Sequence, residues 1–174
     1  MIDRSGVRDY AIHVMGRRWL TEGIFEIRFD RPAGFDFLPG QKIGFKLQGA
    51  TWDYTLLGPA QDPALSLCVR HIPEGRFSPR LAAAQPGEPF QITSASGFFT
   101  FKPSPRPAVF VATGTGVAPF VAFARRPRGA IGRAFPARPP PEPISIFSPA
   151  GWTPAWPNIW RRAGMTFICA ETGI

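Results

Sequence analysis

Ligands for a metal are scarce in this chain. It holds two cysteines and two histidines among 174 residues. Cys68 and Cys169 lie far apart, without a Cys-x-x-Cys pair, and His13 and His71 lack metal-ligand spacing. The thiols are therefore expected to be reduced, and buried or incidental. No run of 18 apolar residues is present, so no membrane-spanning helix is expected. The opening Met1-Ile-Asp-Arg-Ser-Gly-Val-Arg-Asp-Tyr10 has no apolar core of a secretory signal, and a cytoplasmic location is expected. Gly-x-Ser-x-Gly is missing, which argues against a hydrolase nucleophile elbow. No internal repeat is visible.

What the chain does have is bulky core material and many turn formers. The hydrophobic fraction is 44%, with 16 Phe and 5 Trp, which suits a globular protein. The 21 Pro and 18 Gly point to frequent turns and some irregular chain. The net charge of +8 first suggests a nucleic-acid partner. Its distribution argues otherwise. Residues 1–120 hold 13 Lys/Arg against 10 Asp/Glu, whereas residues 121–174 hold 7 Arg against 2 Glu. Most of the excess sits in the tail, so no nucleic-acid role is expected.

Short strands between turn signals fill the first hundred residues. Candidates are 10–21, 23–30, 41–47, 52–57, 64–71 and 88–93. In the second, Phe25, Ile27 and Phe29 alternate with Ile24, Glu26 and Arg28. In the fifth, Leu65, Leu67, Val69 and His71 share one face, and Ser66, Cys68 and Arg70 share the other. A short helix is expected from Ser78 to Ala84, with Ser78 as its N-cap and Pro86-Gly87 as its stop. Six strands at this spacing predict a mostly β fold, an antiparallel barrel or sandwich.

The grammar changes at Ala108. Ala108-Val-Phe-Val-Ala112 is a continuous apolar run, as in a strand buried on both faces. Thr113-Gly-Thr-Gly116 is a tight turn, and 117–125 is expected to be helical. Strand, glycine-rich turn and helix open a nucleotide-binding α/β unit. The glycines are not followed by Lys-Ser/Thr, so this is no P-loop. Beyond Arg125 no second strand–helix pair is legible, and residues 126–157 hold nine prolines. The expected division is 1–105 for the strand-rich domain, 106–125 for the opening of a nucleotide domain, and 126–174 for an irregular Pro/Arg-rich tail. That tail reads as disordered, altered, or translated out of frame.

Three segments in this order resemble the ferredoxin–NADP reductase-like flavoproteins. Trp52-Asp-Tyr-Thr55 is similar to the family's Arg-x-Tyr-Ser/Thr, Gly75-Arg-Phe-Ser78 to its Gly-x-x-Ser, and Gly114-Thr-Gly-Val-Ala-Pro-Phe120 to its Gly-Thr-Gly-Ile/Val-Ala-Pro-Phe. Softer likenesses are Phe37-Leu-Pro-Gly-Gln41, Glu88-Pro-Phe-Gln-Ile and Ser96-Gly-Phe-Phe99. The resemblance runs from about residue 8 to 125 and ends there; the family's C-terminal Cys-Gly pair has no counterpart.

The resemblance implies a six-stranded antiparallel Greek-key barrel that binds FAD, with FMN as an alternative, followed by the start of an α/β domain for NAD(P)H. Tyr54 would pack on the flavin ring, and Thr55 would lie near N5, where hydride arrives. Val69, Arg70, His71, Gly75, Arg76, Phe77 and Ser78 would surround the flavin phosphates, by strand, turn and helix start. Thr113, Gly114, Thr115, Gly116, Ala118 and Pro119 would receive the nicotinamide nucleotide. Position 52 departs from the pattern. Trp52 stands where the family's Arg grips phosphate, and a lost charged hydrogen bond is worth roughly 1.5–3 kcal/mol. Arg70 or Arg76 would compensate.

The implied activity is electron transfer from NAD(P)H through FAD to an iron–sulfur or other acceptor, such as a ferredoxin or an oxygenase subunit. The mild positive charge of the first 120 residues suits an acidic carrier. The alternative is a non-catalytic flavin-binding module, or an inactive remnant of such a reductase. Taken without the resemblance, Tyr54-Thr55 is ordinary strand packing, His71 a partly buried strand histidine, and Gly75–Ser78 a turn with a cap.

Overall fold

The computed structural model describes residues 8–102, 109–125 and the strand 166–169. Six strands form one antiparallel sheet: β1 (Asp9–Thr21), β2 (Ile24–Asp30), β3 (Lys42–Leu47), β4 (Ala50–Thr55), β5 (Ala64–Arg70) and β6 (Pro89–Thr93). Their spatial order is β4-β3-β6-β1-β2-β5. A six-residue helix, α1 (Ser78–Ala83), links β5 to β6.

Period-two patterning decides which faces are buried. Phe25, Ile27 and Phe29 of β2 are fully buried, as their alternation predicts. They join Ile43 and Phe45 of β3, Leu65 and Leu67 of β5, and Phe90 and Ile92 of β6 in one core. Phenylalanine dominates it. Phe45 makes edge or tilted ring contacts with Phe29, Phe77 and Phe90. The β3–β4 hairpin turns at Gln48-Gly49, both with positive φ, as a two-residue turn matched to strand twist requires.

Only Glu26 breaks the apolar burial of β2. It is buried on the opposite face and accepts a 2.8 Å hydrogen bond from Arg18. That face of the sheet carries a second core. Leu57 and Cys68 pack there with Ala112, Val117, Phe120, Val121 and Phe123. So β5 is buried on both faces from Ala64 to Val69, Ser66 included, because it separates two cores.

The second core belongs to β7 (Val109–Ala112), a 3₁₀ turn (Gly114–Val117) and α2 (Ala118–Arg125). Pro119 sits in the first turn of α2, where its missing N–H is harmless. β8 (Thr166–Cys169) runs parallel to β7, from Val109–Thr166 to Ala112–Cys169. The sequence offers no sign of this partner strand. Four residues are too few to establish a period, and no periodic element leads into them. The rest of the 126–174 tail and the boundary near 105 lie outside the described residues.

Candidate functional site

Beyond β5 the chain must turn sharply into α1, and three contacts fix that turn. The Gly75 N–H donates to the Ile72 carbonyl at 2.8 Å. The Ile72 N–H donates to Ser78 Oγ at 3.0 Å, and Ser78 Oγ donates back to the Ile72 carbonyl at 3.4 Å. A Cβ on Gly75 would lie 3.0 Å from the Ile72 carbonyl oxygen and 3.1 Å from Ser78 Oγ, so the turn is built around glycine. Ser78 is not the helix cap that its type suggests. Phe77 is the N-cap residue, without a side-chain cap, because the Ser78 hydroxyl is engaged by the turn.

Trp52 and Tyr54 project from β4 toward this turn, two residues apart and hence on one face. Phe77 lies between them and the core. Its ring is parallel to that of Trp52, with centroids 4.9 Å apart and planes at 11°. Tyr54 is tilted against Phe77 at 6.1 Å and stands edge-on to Phe45 at 5.7 Å. Burial pushes the Tyr54 phenol pKa up, which keeps the hydroxyl protonated.

Next to these rings is a cavity of about 490 Å³. Its β4 wall is Trp52, Asp53, Tyr54 and Thr55. Its turn wall is Arg70, Ile72, Gly75, Arg76, Phe77 and Ser78. Cys68 of β5, Thr115 and Gly116 of the 3₁₀ turn, and Ala118 at the start of α2 close it. Parts of three distant sequence segments thus meet around one space. Arg70 and Arg76 are exposed and have no ion-pair partner among the described residues. Lys42 is bonded to Asp53, which matches that carboxylate. A Cβ on Gly116 would meet nothing within 4 Å, so the backbone there borders open space.

Other residues singled out in the sequence stand outside the cavity wall. Val69 is buried in the sheet core. His71 donates its backbone N–H to the Gly23 carbonyl at 2.8 Å, and its ring is edge-on to Trp19 at 5.8 Å. Thr113 is exposed, and its carbonyl accepts the Gly116 N–H at 2.9 Å. Gly114 has φ +50°, a conformation glycine adopts without strain. Pro119 is half-buried at the start of α2.

Three wall residues escaped sequence reasoning: Asp53, Cys68 and Ile72. Cys68 was within reach, since it shares a strand face with Arg70. Burial raises the Cys68 thiol pKa to about 12, with the Glu26 carboxylate adding to the effect. The thiolate is therefore suppressed at neutral pH. Cys68 is expected to resist iodoacetamide at pH 8 in the folded chain and to react fully in urea, read by mass spectrometry of the Cys68 peptide. The raised pKa also has a sign for stability. The folded state holds this proton more tightly, so the contribution is intact below pH 9.0, the ordinary thiol value, and is lost as pH rises toward about 12.

Known proteins share this fold. No family model matches the chain. The flavodoxin/ferredoxin–NADP reductase of Escherichia coli is 31% identical over 110 residues, covering 59% of this chain and 44% of that protein. The terephthalate 1,2-dioxygenase reductase component 1 of a Comamonas species is 29% identical across 95% of this chain and 52% of its own length. Among solved structures, the Amycolatopsis cytochrome P450 reductase GcoB matches with a TM-score of 0.63 and 26% identity, over 68% of this chain and 38% of that one. A ferredoxin–NADP⁺ reductase from Neisseria gonorrhoeae, solved with bound FAD and NADP, has the same fold at a TM-score of 0.60 and 23% identity, covering 68% of this chain and 51% of its own.

The six-stranded antiparallel sheet is a mostly β domain with the fold of these reductases. The chain belongs to the ferredoxin–NADP reductase-like flavoprotein family, and the relationship lies mainly in the N-terminal FAD-binding part. It spans about half the length of the curated relatives it matches.

Proposed function

We propose that this chain binds FAD in the 490 Å³ cavity and passes electrons from NAD(P)H to an iron–sulfur or other acceptor. One observation carries the reading: residues of the Tyr54-Thr55, Gly75–Ser78 and Thr115–Ala118 segments line one cavity. Its volume lies within the roughly 300–1,000 Å³ of cofactor-sized sites. The residues present also fit the group. Tyr54 offers an aromatic plate for a flat ring system. Thr55 brings a small hydroxyl beside it. Arg70 and Arg76 offer free guanidiniums for phosphate. Thr115 and Gly116 border the cavity with backbone and no large side chain. The bound flavin supplies the redox chemistry, exchanging electrons in pairs or singly. The protein's part is to hold, orient and shield it.

Closure of the sheet into a Greek-key barrel belongs to the same proposal. The isolated bridge between Leu56 and Leu67, next to the ends of the β4-to-β5 order, supports it. For a partner, a second cleft of about 450 Å³ carries Arg17, Arg18, Arg28 and Arg125 against Glu26 and Asp62. This excess of positive charge suits an acidic carrier protein.

A second reading, a flavin-binding module without turnover, is favoured by Trp52. Its indole is stacked on Phe77 where the family pattern has a guanidinium. One measurement tests flavin binding in the cavity, which both readings require, and a second separates the readings. Arg70→Gln and Arg76→Gln are each expected to weaken FAD binding about tenfold or more, as for loss of a charged hydrogen bond. Unchanged affinity in both variants would remove the cavity from consideration. Oxidation of NAD(P)H with a dye acceptor then tests turnover; flavin bound without oxidation favours the module.

A further inference from the structure

The geometry of Trp52 points to a second stacking plate in the cavity. We propose that Trp52 stacks on the adenine of a dinucleotide flavin, so that the site prefers FAD to FMN. This rests on the flavin reading above.

Trp52 cannot grip a phosphate by charge. Indole carries no charge and a single N–H donor, so it is a poor phosphate ligand. What it offers is a flat π-face. One face is already covered by Phe77, nearly parallel at 4.9 Å. Phe77 is itself buried and wedged against Phe45, Tyr54 and Phe90. The indole is thus held in a fixed orientation before any ligand arrives, which reduces the ordering cost of binding. Trp52 remains half-buried and lines the cavity.

The rest of the wall matches two ring systems rather than one. Tyr54 lies two residues along the same strand face, as a separate aromatic plate. Arg70 and Arg76 line the same space without ion-pair partners among the described residues. Two aromatic plates and two free guanidiniums complement a molecule with two flat rings joined by a pyrophosphate. A mononucleotide flavin would use one plate and leave the second unused.

The full-length chain is titrated with FAD, FMN and ADP, following flavin and tryptophan fluorescence, as wild type, Trp52→Phe and Trp52→Ala. Base–aromatic stacking is typically worth about tenfold or more in affinity. Wild type is expected to bind FAD about tenfold or more tightly than FMN. Trp52→Ala should weaken FAD about tenfold and leave FMN within about twofold, while Trp52→Phe keeps most of the preference. ADP, which has no flavin ring, should quench tryptophan fluorescence in wild type and not in Trp52→Phe. Trp52→Phe keeps an aromatic side chain against Phe77, so it reports even where Trp52→Ala fails to fold. Equal binding of FAD and FMN by wild type, or equal weakening of both by the variants, overturns the stacking role and leaves flavin binding intact. No binding of either flavin overturns both.

Discussion

Phe77→Ala is expected to destabilise the chain by about 3–5 kcal/mol, the range for truncating a buried aromatic. The side chain is 2% exposed and makes ring contacts with Phe45, Trp52, Tyr54 and Phe90. Its removal opens a hole beneath both plates of the cavity. The effect therefore has two parts: a lower denaturant midpoint, and weaker flavin binding by whatever fraction stays folded. Phe77→Leu separates them. It refills most of the volume, so the midpoint should recover largely, yet it cannot present a parallel ring to Trp52. A Phe77→Ala midpoint equal to wild type would mean that the Phe77 ring does not support the core as described.

Gly40→Ala should be comparably severe for a different reason. Gly40 has φ +96°, which side chains rarely adopt. An added Cβ would lie 2.0 Å from the Phe99 carbonyl oxygen and 2.8–2.9 Å from the Phe123 ring. Relief requires the 96–101 loop and α2 to move away from the sheet together, because Phe99 and Phe123 are themselves in ring contact at 5.8 Å. Backbone strain of about 1–3 kcal/mol and overpacking of about 1–3 kcal/mol both apply here. The thermal midpoint is expected to fall by several degrees or more, with new protease cleavage near residues 96–101. A Gly40→Ala chain as stable as wild type would show that the sheet and α2 do not pack as closely as described.

Much of the strand framework was legible because it follows one rule. Phe25, Ile27 and Phe29 alternate with more polar neighbours, and their burial follows that alternation. The glycine-rich turn was legible because few sequences place Gly114, Gly116 and Pro119 together between an apolar run and a helix. Other features could not be read. Burial of both faces of β5 depends on α2 and the 3₁₀ turn packing behind Cys68, which is a tertiary fact. Ser78 looked like a cap because its type favours that role; its hydroxyl instead ties Ile72, six residues earlier. β8 is four residues long and pairs with a strand more than fifty positions upstream, so nothing local announces it. The stack of Trp52 on Phe77 joins two motifs that are independent in sequence. It turns an apparent defect in the first motif into a defined surface.

The central claim is that the cavity between β4, the Gly75–Ser78 turn and the Thr115–Ala118 segment holds a flavin. The direct measurement is a spectroscopic titration of the purified full-length chain with FAD. Saturable binding of one FAD per chain is expected, with the visible flavin bands shifted and resolved relative to free FAD. Absence of saturable binding, with the spectrum identical to free FAD at every ratio, would contradict the account.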